Sequence, residues 1–300
     1  MRAVVTGGAG FIGSHVAEAL LARGDEVCVV DSLASGKREN VPAGTRFEER
    51  DIRDGLDDLF RELDPDACFH LAAQAKVVTS VERPVYDAEV NVLGTLRVLE
   101  AAGTRTQILF SSTGGAIYGE CERPAREDDP RLPLSPYGTS KLAGEEYLAT
   151  WNRLHGTSHV ALRFANVYGP RQQSSLEGGV VAIFLERMAS GEQTEIYGDG
   201  RQARDFVDVI DVGAAMIAAT GQKGGVFNVG TGIATSVVDL HELCRRVSGS
   251  DREPRFADAR AGELRRSVLD PGRAERELGW RPRVALEDGL RTTWSWVTSS

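Results

Sequence analysis

Short apolar runs alternate with amphipathic stretches through the first half of the chain. Residues 3–6, 26–30 and 160–164 read as strands, and 46–49, 67–71 and 108–111 as short buried ones. Between them the 3.6-residue period predicts helices over 11–23, near 55–62, over 85–102 and over 136–155. Gly24 stands where the first helix must stop. Strand and helix in alternation, with buried strands, predict an α/β fold of the doubly wound Rossmann type: a parallel sheet covered on both faces. The second half is less regular. Gly and Pro recur at Gly169, Pro170, Gly178, Gly179, Gly198, Gly200, Gly230 and Gly232, and helices are expected over 180–190, 210–220 and 237–247. We expect a Rossmann domain over 1–165, with returns near 206–227 and 283–300. A smaller α/β substrate lobe takes 166–205 and 228–282. The chain crosses between the two more than once.

Composition narrows the class. Of 300 residues, 41% are hydrophobic and 26% charged, enough for a sizeable core in a soluble globular protein. The net charge of -9 disfavours nucleic acid and anionic membranes as partners. An anionic substrate would need a local basic pocket. Cys28, Cys68, Cys121 and Cys244 are far apart and form no CxxC pair, which points to reduced thiols rather than a metal or redox site. No apolar run has membrane-spanning length, and the chain enters its first strand with no signal peptide before it. The expectation is a cytoplasmic protein.

A glycine-rich turn joins the first strand to the first helix. In the segment GGAGFIG, Gly7 and Gly10 let the backbone turn tightly and approach a pyrophosphate, and Gly13 lets the helix pack closely. The free N–H groups of the helix start then face the phosphates. The GxxGxxG spacing is the short-chain dehydrogenase variant. Asp31 ends the second strand, where a carboxylate accepts from a ribose diol and repels a 2′-phosphate, so NAD is favoured over NADP. Asp51 and Ile52 follow the third strand and can hold the adenine edge. A turn or helix cap is an equally good reading of Asp51.

Ser135 and Pro136 are suited to the N-cap and first position of a helix that carries Tyr137 and Lys141 on one face. A phenol, with an ordinary pKa of about 10, is a poor base at neutral pH. A neighbouring ammonium favours the phenolate, which can then take a proton from a sugar hydroxyl. Ser111, Ser112 and Thr113 end a strand on the side where such sheets bind ligands. Thr113 would hydrogen-bond the same sugar oxygen, or, like Ser112, merely cap a loop.

The chain resembles the UDP-glucose 4-epimerase family of extended short-chain dehydrogenases/reductases. The resemblance rests on residues 7–13, on HLAAQ at 70–74, on 111–119 and 137–141, and on NVYGPR at 166–171. It continues through 179–184, RDFV at 204–207, FNVG at 227–230 and LGWRP at 278–282. It implies that NAD stays bound while hydride leaves C4 of a UDP-hexose, a 4-keto sugar turns over, and hydride returns to the other face. It places Phe11, Ile12, Leu71, Ala72, Ala73, Gln74, Asn91 and Ser111 with the cofactor, Asn91 as a polar support below the site. It places Lys76, Asn166, Val180, Val181, Phe184 and Tyr197 with the substrate. It assigns Arg204 and Arg260 to the diphosphate and Glu263 to the uridine ribose. It also implies a homodimer built from the helices over 85–102 and 136–155, although their apolar stripes could equally face the sheet.

Two departures matter. Gly114 and Gly115 lengthen the loop after Thr113 by one residue, so either Ser112 or Thr113 is the catalytic hydroxyl. Ser267, small where the family is bulky, leaves room for a larger sugar, so a UDP-glucuronate or UDP-N-acetylglucosamine 4-epimerase stays open. A 4,6-dehydratase needs an additional acid–base pair, and relatives of that kind place Asp-Glu where this chain has two glycines. A noncatalytic NAD-binding protein would usually have lost Tyr137 or Lys141.

Overall fold

The computed structural model describes residues 1–174, 179–259 and 263–299. Its frame is a seven-stranded sheet: β1 (Arg2–Thr6), β2 (Glu26–Asp31), β3 (Arg46–Glu49), β4 (Ala67–His70), β5 (Gln107–Thr113), β6 (Val160–Phe164) and β11 (Gly225–Val229). The order is β11-β6-β5-β4-β1-β2-β3, and every pairing is parallel. Neighbouring residues of one strand feed opposite cores. Val5 joins Val29, Phe69, Leu109 and Leu162 on one face, and Val4 joins Val30, Cys68, Ile108 and Phe110 on the other. Burial on both faces is why the strands read as unbroken apolar runs rather than as alternating ones.

Helices cover both faces. On the first face, α1 (Phe11–Ala22) and α9 (Val209–Ala218) contribute Val16, Leu20, Val212 and Met216. On the second, α2 (Asp57–Leu63), α5 (Gly94–Ala102) and α7 (Pro136–His155) contribute Leu59, Phe60, Val98, Leu99 and Leu148. Further helices are α3 (Val77–Glu82), α4 (Pro84–Ala88), α6 (Gly114–Ile117), α8 (Val180–Ala189), α10 (Val237–Ser248), α11 (Gly272–Leu278) and α12 (Leu286–Ser299).

The second half adds small sheets. β7 (Asn166–Tyr168) pairs with β10 (Phe206–Asp208), β8 (Glu195–Tyr197) with β13 (Arg255–Ala257), and β9 (Ala203–Arg204) lies between β12 (Thr235–Ser236) and β14 (Arg266–Ser267). Val181, Phe184, Leu185, Leu240, Cys244 and Leu290 form the core of α8, α10 and α12. None of the described helices is long and apolar enough to cross a membrane.

Two expectations need correction. Residues 46–49 form a strand, but an edge strand with no buried residue, because its charged side chains face water and Arg46 pairs with Glu48 and Glu62. The stretch over 85–102 is not one regular helix. A π turn, Glu89–Leu93, separates α4 from α5. Single π turns inside helices carry no hydrophobic signature and cluster at functional sites.

Candidate active site

The carboxyl ends of β1, β2, β4 and β5 meet at a cleft of about 370 Å³. It brings together Gly7, Gly10, Phe11, Ile12, Gly13, Asp31, Asp51, Ile52, Leu71, Ala72, Ala73, Gln74, Lys76, Ser111, Tyr137 and Lys141. Gly7 has φ of +73°, and a Cβ there would lie 2.6 Å from the Ala72 nitrogen. A Cβ on Gly13 would run into the Gly7 carbonyl oxygen. The turn therefore closes only with glycine at both places, leaving the start of α1 open to a ligand. The Asp31 carboxylate, at the end of β2, accepts from the Ala9 N–H at 2.9 Å and the Leu33 N–H at 2.8 Å. Burial raises its pKa, and those two bonds oppose the rise. Asp51 is a cap: Oδ1 accepts from the Arg53 N–H at 2.9 Å, and the Arg53 guanidinium lowers its pKa.

The floor of the cleft is held from behind. The Asn91 amide accepts from the Gln74 N–H and donates to the Gln74 carbonyl, each at 2.9 Å, and it also donates to Asp87 Oδ1 at 3.0 Å. The π turn aims Asn91 at this loop. Asn91 is buried and does not line the cleft, which corrects its placement with the cofactor: a side chain spent on two backbone bonds supports the floor rather than touching a ligand. The Gln74 side chain is used similarly, on Lys76 and Asp87. Beneath lies His70, whose Nδ1 is 2.7 Å from Thr6 Oγ1 and Nε2 3.0 Å from Thr95 Oγ1. Burial pushes its pKa down to about 3. His70 is therefore a neutral internal link at neutral pH.

Ser135 caps α7, accepting from the Gly138 N–H at 3.2 Å, and Pro136 opens the helix. One turn on, Lys141 is almost fully buried. Its ammonium donates to the Ser111 carbonyl at 3.0 Å and lies 4.8 Å from the centre of the Phe110 ring. Burial pushes its pKa down to about 8, against the opposing pull of Asp87 and Glu145. At neutral pH a buried positive charge thus sits one helical turn from the Tyr137 phenol.

A second cavity, of about 880 Å³, opens beyond Tyr137. Asn166, Val180, Ile183, Phe184, Tyr197, Arg204 and Glu263 line it, and Tyr137 lines both spaces. Arg204 donates to the Ala203 carbonyl at 2.9 Å and to Glu263 at 3.4 Å. Burial lowers its pKa, opposed by Glu263 and Glu120. Val181 does not line the cavity. It is turned one helical step away, into the core with Leu185, which corrects its placement with the substrate. Ser267 is buried on β14, in register with Arg204, and is not among the residues lining this cavity. Arg260 lies outside the described residues. Arg265 is a surface charge, paired with Asp199 at 3.0 Å.

The two candidate hydroxyls at the end of β5 part company. Ser112 lines the first cleft, and its hydroxyl is already committed, donating to Glu145 Oε1 at 2.5 Å. Thr113 precedes α6 without a side-chain cap hydrogen bond. A Cβ on Gly115 would lie 3.9 Å from both Thr113 Oγ1 and Asn166 Oδ1, so both oxygens lie near Gly115; Asn166 lines the second cavity, and Thr113 is not among the lining residues of either space. Sequence reasoning missed Glu145 and Arg163, the buried pair behind Ser112, and Gln172, Gln173 and Ile183 on the cavity walls. Glu145 had one visible signal: it is four residues past Lys141, on the same helix face.

The profile of the NAD dependent epimerase/dehydratase family matches residues 3–230. The UDP-glucose 4-epimerase of Mycolicibacterium smegmatis is 46% identical over 307 residues, covering 98% of this chain and 97% of that protein. Among solved structures, the UDP-glucose 4-epimerase of Thermotoga maritima with UDP-glucose superposes at a TM-score of 0.95 and 45% identity, covering 99% of this chain and 98% of the other. The UDP-glucose 4-epimerase of Thermus thermophilus in complex with NAD superposes at 0.93 and 46%, covering 99% of each.

Proposed function

The chain belongs to the NAD dependent epimerase/dehydratase family, and from that membership we propose how its own residues carry out the work of a UDP-hexose 4-epimerase. The enzyme is an NAD-dependent isomerase that interconverts UDP-glucose and UDP-galactose. The observation that carries the assignment of roles is the place of Tyr137, in the wall of both spaces at once. A phenol there faces a dinucleotide on one side and a sugar on the other.

The first cleft fits NAD. Its glycine turn would be filled by any Cβ at Gly7, the start of α1 supplies N–H donors for the pyrophosphate, and Asp31 presents a carboxylate where a 2′-phosphate would be repelled. When bound, NAD supplies the hydride acceptor and donor for C4 of the hexose. Lys141, charged below pH of about 8 and buried beside the site, favours the ionised form of the Tyr137 phenol. Tyr137 Oη takes the proton from the sugar 4-hydroxyl and later returns it to that oxygen once C4 has been inverted. Thr113 Oγ1 hydrogen-bonds the same sugar oxygen and orients it. Turning the keto sugar over requires that the grip be elsewhere. Arg204 takes the diphosphate and Glu263 accepts from the uridine ribose; the described lining as a whole is not basic, with Arg187 and Arg204 facing Glu186, Glu192, Glu195 and Glu263, so the grip rests on Arg204 itself. Gly114 and Gly115, straight after Thr113, offer no acid or base for the elimination a 4,6-dehydratase performs.

The active unit is a homodimer in the cytoplasm. Val78, Val81 and Val85 are 60–71% exposed on α3 and α4, with Leu93 close by and Tyr147 on α7. This is an apolar surface on the helices that would pair with a second copy. The function is tested by supplying UDP-glucose alone and following the sugar C4 stereochemistry by NMR. UDP-galactose should form without added NAD, and NAD should be released on denaturation. A protein that releases no nucleotide and turns over only with added NADP would overturn both the cofactor and the mechanism.

A further inference from the structure

From Ser112, which lines the first cleft, a chain of buried polar groups runs back into the protein. Ser112 Oγ donates to Glu145 Oε1. The Arg163 guanidinium holds both oxygens of that carboxylate, Nε at 2.9 Å from Oε1 and Nη2 at 2.6 Å from Oε2. Arg163 Nη1 donates to the Tyr118 hydroxyl at 2.6 Å, which donates to Asn228 Oδ1 at 2.7 Å, and the Asn228 amide donates to the Ala125 carbonyl at 2.8 Å. All five side chains are at most 3% exposed. Such a chain is costly to bury unless every member is satisfied, and here each is.

Its placement gives it a task. Ser112 and Arg163 are cross-strand partners on β5 and β6. Glu145 is on α7, one turn past Lys141 and two past Tyr137. The end of β5 is therefore pinned to α7 at two successive residues, with opposite polarity: Lys141 donates to the Ser111 carbonyl, and Ser112 donates to Glu145. The next residue is Thr113. We propose that Ser112, Glu145 and Arg163 form a positioning clamp that fixes the Thr113 hydroxyl against the Tyr137 phenol, acting on the chemical step and not on the binding of NAD or sugar. Arg163 is the anchor that makes Glu145 immobile, and through Tyr118 and Asn228 it fastens the clamp to β11. The charge of Glu145 also reaches Lys141, along with that of Asp87 from α4, and both support the ammonium that burial disfavours, as does the face of the Phe110 ring 4.8 Å away, while the neighbouring His70 is neutral.

The clamp rests on the epimerase reading, so the parent enzyme must first be seen to interconvert UDP-glucose and UDP-galactose. Glu145→Gln would leave Arg163 buried with a weakened partner and could simply fail to fold. Ser112→Ala is the cleaner variant, because Arg163 still satisfies Glu145. Displacement of reacting groups by about 1 Å costs about 100-fold, so Ser112→Ala should lower kcat by about 10–100-fold. KM and bound NAD should stay within about twofold, and the isotope effect with UDP-glucose deuterated at C4 should grow as chemistry becomes rate-limiting. A Ser112→Ala enzyme with the parent's kcat and isotope effect overturns the clamp while leaving the function intact. So does a loss that follows only the fraction of folded or NAD-containing protein. A parent that leaves UDP-glucose unchanged overturns the epimerase reading instead.

Discussion

Lys141 should make the protein less stable than it could be, and Lys141→Met should reveal by how much. Burial pushes its pKa from the usual 10.5 down to about 8. Between those values the unfolded chain binds a proton that the folded chain does not, so stability rises with pH across that window. Below it, folding carries a cost of about 3 kcal/mol for keeping the amine charged. Methionine removes that cost and preserves most of the volume, but it leaves the Ser111 carbonyl without its donor, a loss of about 1–3 kcal/mol. At pH 7 the variant should therefore match or exceed the parent by up to about 2 kcal/mol, while losing turnover. By pH 10.5 the parent has shed its proton, and the order should reverse. The assay is thermal unfolding of both proteins, stripped of nucleotide, from pH 6.5 to 10.5. At about 2 °C of midpoint per kcal/mol for a chain of this size, the difference should move by about 6 °C in favour of the parent. Parallel curves across the whole range would refute the reasoning, because they would mean that Lys141 carries no burial penalty to relieve.

Tyr137→Phe removes one oxygen from a residue that lines both spaces, and turnover should fall by about 10²–10⁴-fold with NAD content and fold retained. Activity per folded molecule close to the parent's would mean that Tyr137 only packs. Val85→Glu places a charge on the exposed apolar surface of α4, and light scattering should show a dimer for the parent and a shift to monomer for the variant. A parent that scatters as a monomer at micromolar concentration would reject the dimer.

What the sequence revealed follows from which physics is local. The glycine turn, Asp31 and the Ser135–Pro136 start of α7 are short-range rules about φ, donors and caps, and each lies within a few residues of its cause. The strands of the large sheet were visible because burial on both faces removes polar residues from them, and β3 misled because an edge strand keeps its charges. Phase was harder. Val180 and Val181 are both apolar, and only the packing of α8 decides that the first faces the cavity and the second the core. Ser112 and Thr113 pose the same difficulty across the pleat of β5. The Glu145–Arg163 pair was out of reach, because a charged pair 18 residues apart reads as two solvated side chains until β6 is placed beside β5. The π turn at Glu89–Leu93 has no period of its own to detect.

The position of β11 has a consequence for the newly made chain. β6 ends at Phe164, and all five of its residues are buried in the finished sheet, yet its outer neighbour is not complete until Val229 has been made. At about 5–20 residues per second, a ribosome leaves that apolar edge open for roughly 3–13 s. During this interval VALRF presents unpaired N–H and C=O groups along a hydrophobic strand, the kind of template that joins one molecule to another. Synthesis that stalls between β6 and β11 would yield a nearly complete sheet with one adhesive side, so the hazard for this protein in the cell lies in the speed with which residues 165–229 are made as much as in the stability of its final form.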